Sequence, residues 1–247
     1  MSDSRRTFHH ELDLIRDDLV RMAAAVLEAI QRGTDLLLAH DLGAVDAILA
    51  ADAELDALSV QVEDRCFHQL ALQQPMASDL RRLVTAIRLT AELERSGDLV
   101  VNIAKGVRRM VGPIGEPVTR GLIQAMSDEC VRLFESALQA YADSDAEKGL
   151  ALRSMDDALD ELHHAYIERV LDACRHGDLD IQVAVQLALI GRYYERIGDH
   201  AVNMGERVQY LVTGWLPEHG SAAVAEARAK HRPGPVEMET LDRVEEG

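Results

Sequence analysis

Cysteine is scarce in this chain: Cys66, Cys130 and Cys174 lie far apart and none falls in a CxxC spacing. That excludes a disulfide framework and a cysteine-ligated zinc site, and it fits a reducing compartment. No window approaches the roughly 18 uninterrupted apolar residues of a membrane span. The N-terminal "MSDSRRTFHHELDLIRDDL" has no apolar core of a signal peptide, so a cytoplasmic location is expected. Positive charge is short as well: 26 Lys and Arg stand against 43 Asp and Glu, a net charge of −17. Such a balance opposes tracking of nucleic-acid phosphates and docking by charge to an anionic bilayer, and it suits cations or basic protein surfaces. Gly-rich phosphate loops, GxSxG elbows and HExxH helices are all missing. Nothing builds a nucleophile with its base, and the chain is not expected to be an enzyme.

What the chain does have is helix periodicity. With 47% apolar residues in 247, a packed core is within reach. Leu12, Ile15, Leu19, Met22, Val26, Ala29, Gly33 and Leu36 alternate spacings of three and four, which predicts a first helix to about His40. A second helix carries Ile48, Leu55, Leu58 and Val62 on one stripe. Pro75 can open a third, running to about Val111. "GPIGEP" at 112–117 breaks any helix and reads as a linker. Three more helices follow, at about 118–142, 145–175 and 178–213, and 214–247 reads as a disordered polar tail. The expected fold is all-α, two tandem pseudo-symmetric three-helix bundles over 5–111 and 118–213.

The halves repeat each other. Glu94, Arg95, Gly97, Asp98 and Asn102 recur 101 residues later as Glu195, Arg196, Gly198, Asp199 and Asn203. The second and fifth helices align 104 residues apart, pairing Asp52 and Asp56 with Asp156 and Asp160. Four acidic i, i+4 pairs result: Asp52/Asp56, Glu94/Asp98, Asp156/Asp160 and Glu195/Asp199. A chain this acidic supplies about seven such pairs by chance, so the recurrence is the signal, not any one pair. At about 100° per residue, Glu94 and Asp98 fall inside the apolar arc of the third helix and Asp52/Asp56 on the flank of the second.

Like charges on one helical face repel, so a compensating cation is expected. Two readings are open at this level. Arginines on the same helices (Arg95, Arg196, Arg81, Arg82, Arg88, Arg153, Arg192) could pair with the acids. Alternatively, four converging carboxylates in each half could hold Mg²⁺, Mn²⁺, Ca²⁺ or iron through hard oxygens. Gly97 and Gly198 read as close helix packing, Asn102 and Asn203 as buried hydrogen-bonding residues, and His200 as a surface histidine. "ELHH" supplies one Glu-x-x-His, Glu161 with His164. Di-iron carboxylate bundles need two, and the first half has Ala57 and Val60 there. A di-iron oxidase or a metal-storage protein is the alternative.

The doubled "ERSGDLVVN" and "ERIGDHAVN", each preceded by an acidic pair on the previous helix, together with "QQPMASDLRRLVTAIRL", closely resemble the PhoU family, the phosphate-transport regulatory proteins of bacteria. The resemblance spans about residues 5–213. It implies two tandem three-helix bundles whose E(D)xxxD motifs bind metal clusters in some members, iron foremost, with manganese, magnesium or zinc as alternatives. On this sequence those motifs are Asp52/Asp56, Glu94/Asp98, Asp156/Asp160 and Glu195/Asp199. The resemblance also implies a cytoplasmic adaptor, expected as a homodimer. It would carry phosphate sufficiency from a Pst-type ABC phosphate transporter, through its ATPase, to a PhoR-type sensor histidine kinase, holding the phosphate-starvation regulon off and limiting uptake.

Overall fold

Six long helices account for nearly all of the described chain, and their order follows the periodicity above. The structure, a computed structural model, describes residues 2–215, with side chains from residue 5. The helices are α1 (Ser2–Ala39), α2 (Val45–Gln73), α3 (Ser78–Val107), α4 (Pro117–Asp143), α5 (Ala146–His176) and α6 (Ile181–Thr213), with a short 3-10 turn at Leu42–Ala44. No strand occurs among the described residues. The polar-tail reading of 214–247 falls, beyond Trp215, outside them.

Local chemistry sets the helix ends. Glu116 accepts from the backbone N–H of Val118 and Thr119, with Pro117 in the first turn of α4. Asp145 caps α5 and Asp180 caps α6 in the same way. Gly177 and Gly214, both at φ 78°, close α5 and α6 in the left-handed conformation that glycine adopts without strain.

Two boundaries differ from the sequence reading. Pro75 does not open α3: residues 74–77 turn the chain, with Gln74 and Ala77 at positive φ, and the helix begins at Ser78. The proline is used in the reversal between two antiparallel helices. At its other end α3 stops at Val107, because Met110 and Ile114, 5% and 2% exposed, fold back onto the core. Val111 is left at the surface, 77% exposed.

The core is continuous through all six helices. Leu12, Ile15, Leu19, Met22, Val26 and Leu36 of α1 are buried as their spacing requires, as are Ile48, Leu55 and Val62 of α2. Tyr166, Tyr194 and Phe134 are the bulkiest fully buried side chains. Burying a side chain of this size contributes about 1.5–3 kcal/mol. α3 and α6 run antiparallel: Arg81 Nε donates to Leu211 O at 3.1 Å at one end, and Gly106 faces Ile190 at the other. Residues up to Gly214 form one compact unit, with α1, α2 and α3 packed together, α4, α5 and α6 packed together, and α1 also on α4. Among the described residues no helix is long and apolar enough to cross a membrane.

Candidate metal centres

The mid-helix glycines explain how the acids come together. A Cβ on Gly97 would stand 2.7 Å from Asp52 Oδ1 and 2.6 Å from Leu55 Cδ2, both on α2. A Cβ on Gly198 would likewise stand 2.7 Å from Asp156 Oδ1, with Leu159 Cδ2 still closer. Each glycine therefore removes the one group that would keep the neighbouring helix's aspartate from the α3 or α6 backbone. Close packing was the expectation; the packing partner is the acidic motif itself.

Within each half the four carboxylates act on one another. Burial, then the charges of Asp56, Asp98 and Glu94, push the Asp52 carboxyl up from 3.8 to about 6. Burial, then Asp160, Asp199 and Glu195, push Asp156 up to about 7. Glu94 and Glu195 are also raised, first by burial and next by the acid one turn on, Asp98 and Asp199. The pairs do not lie wholly in the apolar arc. Asp52, Glu94, Asp156 and Glu195 are half-buried, while Asp56, Asp98, Asp160 and Asp199 are exposed. Four residues advance a helix by about 40° beyond a full turn, which carries the second acid of each pair over the rim into water. Each group is thus a carboxylate trough open to solvent. A cavity of about 480 Å³ between α1, α2 and α3 also reaches Asp52, past Arg21 and Arg32.

Arginine pairing accounts for part of one group only. Arg192 donates to Glu195 Oε1. Among the described residues no salt bridge engages Asp52, Asp56, Glu94 or Asp98; Lys105 and Arg95 act on them only through the field. Arg153 goes to Glu206 and Arg82 to Asp79.

The residues present fit a hard cation by two observations. Asp52 Oδ1, Asp156 Oδ1 and Glu195 Oε2 are buried without a hydrogen-bond partner. The donor set is otherwise carboxylate, the oxygen chemistry such ions take. Among the described residues no three His, Cys, Asp or Glu side chains yet converge on one ion-sized point.

The seam between α3 and α6 holds a polar group that the sequence reading placed elsewhere. His200 is not at the surface but 5% exposed, and its Nδ1–H donates to Glu92 Oε2 at 2.6 Å. Asn203 Nδ2 donates to the same oxygen at 3.3 Å. Burial alone would raise Glu92, but the hydrogen bonds of His200 and Asn203 and the charges of His200 and Arg207 hold it below its usual range. The repeat contained the missed signal, since the position matching His200 is Leu99, a core residue. Glu161 and His164 are both exposed, His164 pairing with Glu168 at 3.4 Å, so the lone Glu-x-x-His contributes nothing to an internal site. All three cysteines are free, with Cys66 and Cys130 buried.

The comparisons with known proteins fall on both halves. The PhoU domain matches twice, over residues 19–107 and 123–208, and each match contains one complete carboxylate group. The phosphate-specific transport system accessory protein PhoU homolog 1 of Mycobacterium tuberculosis is 35% identical over 215 residues, spanning 86% of this chain and 96% of that protein. Among solved structures, the phosphate transport system regulatory protein PhoU from Streptococcus pneumoniae superposes with a TM-score of 0.77 at 25% identity, covering 85% of this chain and 98% of that one. PhoU from Pseudomonas aeruginosa gives 0.76 at 25% identity, covering 84% and 100%.

Proposed function

Because the chain belongs to the PhoU family, we propose that it is a phosphate-responsive regulatory adaptor of a phosphate-specific transport system. It links a Pst-type ABC transporter, through the ATPase subunit, to a PhoR-type sensor histidine kinase, and so restrains phosphate uptake and the phosphate-starvation regulon. The observation that carries this reading is the double match to the family domain over two halves, each with its acidic motifs intact. The net charge of −17 favours control through protein partners over operator binding. It works in the cytoplasm as a homodimer, reaching the membrane only through its partners, and it performs no turnover.

The adaptor binds metal at the acidic motifs. Asp52, Asp56, Glu94 and Asp98 would hold it in the first half, and Asp156, Asp160, Glu195 and Asp199 in the second, with iron as the leading ion and manganese, magnesium or zinc as alternatives. A bound cation supplies the positive charge that the raised carboxylates lack. The chain's own part is to hold those oxygens on rigid helices at glycine-thinned crossings.

The test is a strain whose sole copy carries Asp98→Lys and Asp199→Lys. It should express phosphate-starvation genes in phosphate-replete medium, and the purified variant should lose co-purification with the transporter ATPase. Continued repression by a variant that accumulates normally would overturn the adaptor reading. Elemental analysis after mild dialysis, comparing wild type with Asp52→Asn, Glu94→Gln, Asp156→Asn and Glu195→Gln combined, reads the metal separately. Light scattering reads the dimer.

A further inference from the structure

Each half of the chain reverses between its second and third helices, and the two reversals differ. Between α5 and α6 the turn closes on Gly177, carries Asp178 and Asp180, and packs Leu179 against the core. Between α2 and α3 no glycine is used: Gln74 and Ala77 sit at φ 44° and 49°, where a side chain brings strain. What this strained turn presents is Met76, 79% exposed. Leu72 in the last turn of α2, 62% exposed, and Leu80 in the first turn of α3, also exposed, stand on either side of it. Arg81 Nε ties this end of the molecule to Leu211 O of α6, next to exposed Val212. Apolar side chains left in water add nothing to the fold, and several of them within one reversal mark a contact surface.

The charge around the turn has the opposite sign to the chain as a whole. Residues 65–88 hold four arginines, Arg65, Arg81, Arg82 and Arg88, against one acid, Asp79, a net of +3 in a chain of −17. Arg65 is taken up by Asp18 and Arg81 by the α6 carbonyl. Arg82 and Arg88 are exposed, and Arg82 reaches Asp79 only at 3.9 Å. Two copies of this basic turn brought together would repel, so its complement is an acidic surface on a different protein. Methionine, unbranched and polarizable, suits a contact that adapts to its partner.

We propose that the α2–α3 turn is the docking tip for a protein partner whose surface offers an apolar hollow rimmed by Asp and Glu. Met76 enters the hollow between Leu72 and Leu80, and Arg82 and Arg88 meet the rim. The proposal rests on the adaptor reading and assigns one surface of this chain to that role. The α5–α6 turn, with Asp178 and Asp180 beside exposed Ile181, repels the same acidic rim.

Binding of the full chain to immobilised transporter ATPase and to the cytoplasmic part of the sensor kinase, at low and at high salt, tests this. The variants are Met76→Asp, Met76→Leu, Arg82→Glu and Ile181→Asp, with circular dichroism confirming helicity. Met76→Asp should weaken binding to at least one of the two proteins by about tenfold or more, with Met76→Leu close to wild type. Arg82→Glu, which leaves the apolar residues untouched, should weaken binding to the same protein and flatten its loss with added salt. Ile181→Asp, the same kind of change at the second-half counterpart of Leu80, should bind as wild type does. Unchanged binding by Met76→Asp or Arg82→Glu, or an equal loss in Ile181→Asp, would overturn this proposal and leave the adaptor reading standing. Wild-type binding to phosphatidylglycerol vesicles that Met76→Asp abolishes would also overturn it, by assigning the turn to a lipid surface. A wild-type chain that binds neither protein would overturn the adaptor reading and this proposal with it.

Discussion

Replacing Asp156 by Asn should make the metal-free protein more stable at neutral pH. The Asp156 carboxyl is pushed up to about 7 in the folded chain against 3.8 for the unconstrained group, burial first and then four neighbouring carboxylates being the cause. Between those values the folded chain holds a proton that the unfolded chain has released, so stability falls as pH rises from about 4 to about 7. At about 1.4 kcal/mol per pH unit of displacement, the ceiling on the penalty is about 4 kcal/mol. The side chain is only half-buried, and solvent screening brings the expected gain down to about 1–2 kcal/mol. For a unit of this size that is a rise in Tm of about 2–8 °C. Asn keeps an oxygen against Gly198 and removes only the charge, so the packing at the glycine is preserved. The assay is urea and thermal unfolding in chelator at pH 7.5 and at pH 5, where wild-type Asp156 is already largely protonated and the advantage should shrink by more than half. A helical Asp156→Asn variant that is less stable than wild type at pH 7.5, or equally stabilised at both pH values, would refute the reasoning.

Three further outcomes follow from the same structure. Gly198→Ala places a Cβ 2.7 Å from Asp156 Oδ1 and should lose about 1–3 kcal/mol from overpacking despite better helix propensity; Gly121→Ala, with open space around it, should gain about 0.5–1 kcal/mol, and denaturant titration of the two reads the contrast. Glu92→Ala strands buried His200 at the α3–α6 seam and should cost about 3 kcal/mol, whereas Glu92→Leu with His200→Leu should recover much of it; a double variant less stable than the single would contradict the account. Glu116 is held down to about 2, first by the Arg169 guanidinium at 3.0 Å and then by the Thr119 and Val118 donors. Its contribution is full above about 4.5 and is lost as pH falls toward 2, so Glu116→Ala should cost about 1 kcal/mol at pH 7 and nothing near pH 2 in parallel melts.

Much of this fold was legible because long amphipathic helices state their period many times over. The α1 stripe from Leu12 to Leu36 needed no tertiary information, and the acidic pairs stood out because the chain repeats them. The misses share a cause: each depended on what a neighbouring segment does. Pro75 is compatible with a first helical turn, but the α2–α3 reversal needed residues 74–77. The early end of α3 follows from Met110 and Ile114 finding the core, which no local propensity announces. His200 looked superficial beside an exposed Asp199, although its counterpart Leu99 pointed inward. The burial of each acidic pair was read too uniformly, because a turn of 3.6 residues moves the second acid toward water, and only the packed helices show where the rim lies.

The glycine that interrupts α3 and α6 is best understood from the facing helix. Alone, a mid-helix glycine costs about 1 kcal/mol relative to Ala, and the aspartate after it adds a charge to an already acidic face. Both penalties are local and fall at matched places in both halves. What they secure is an aspartate from the adjoining helix pressed against the backbone, with an oxygen that finds no donor in the chain. A packing device alone would work as well with Asn or Ser, which carry no charge to repel. The proposed metal binding would make the arrangement coherent, because a ligand bound only by the folded state stabilises it by about 2.7 kcal/mol at a hundredfold excess over its Kd. That is comparable to the screened penalty worked out for Asp156. On the proposed metal reading, the acidic troughs would link metal occupancy to the stiffness of the α2–α3 and α5–α6 pairs, as the proposed adaptor role requires.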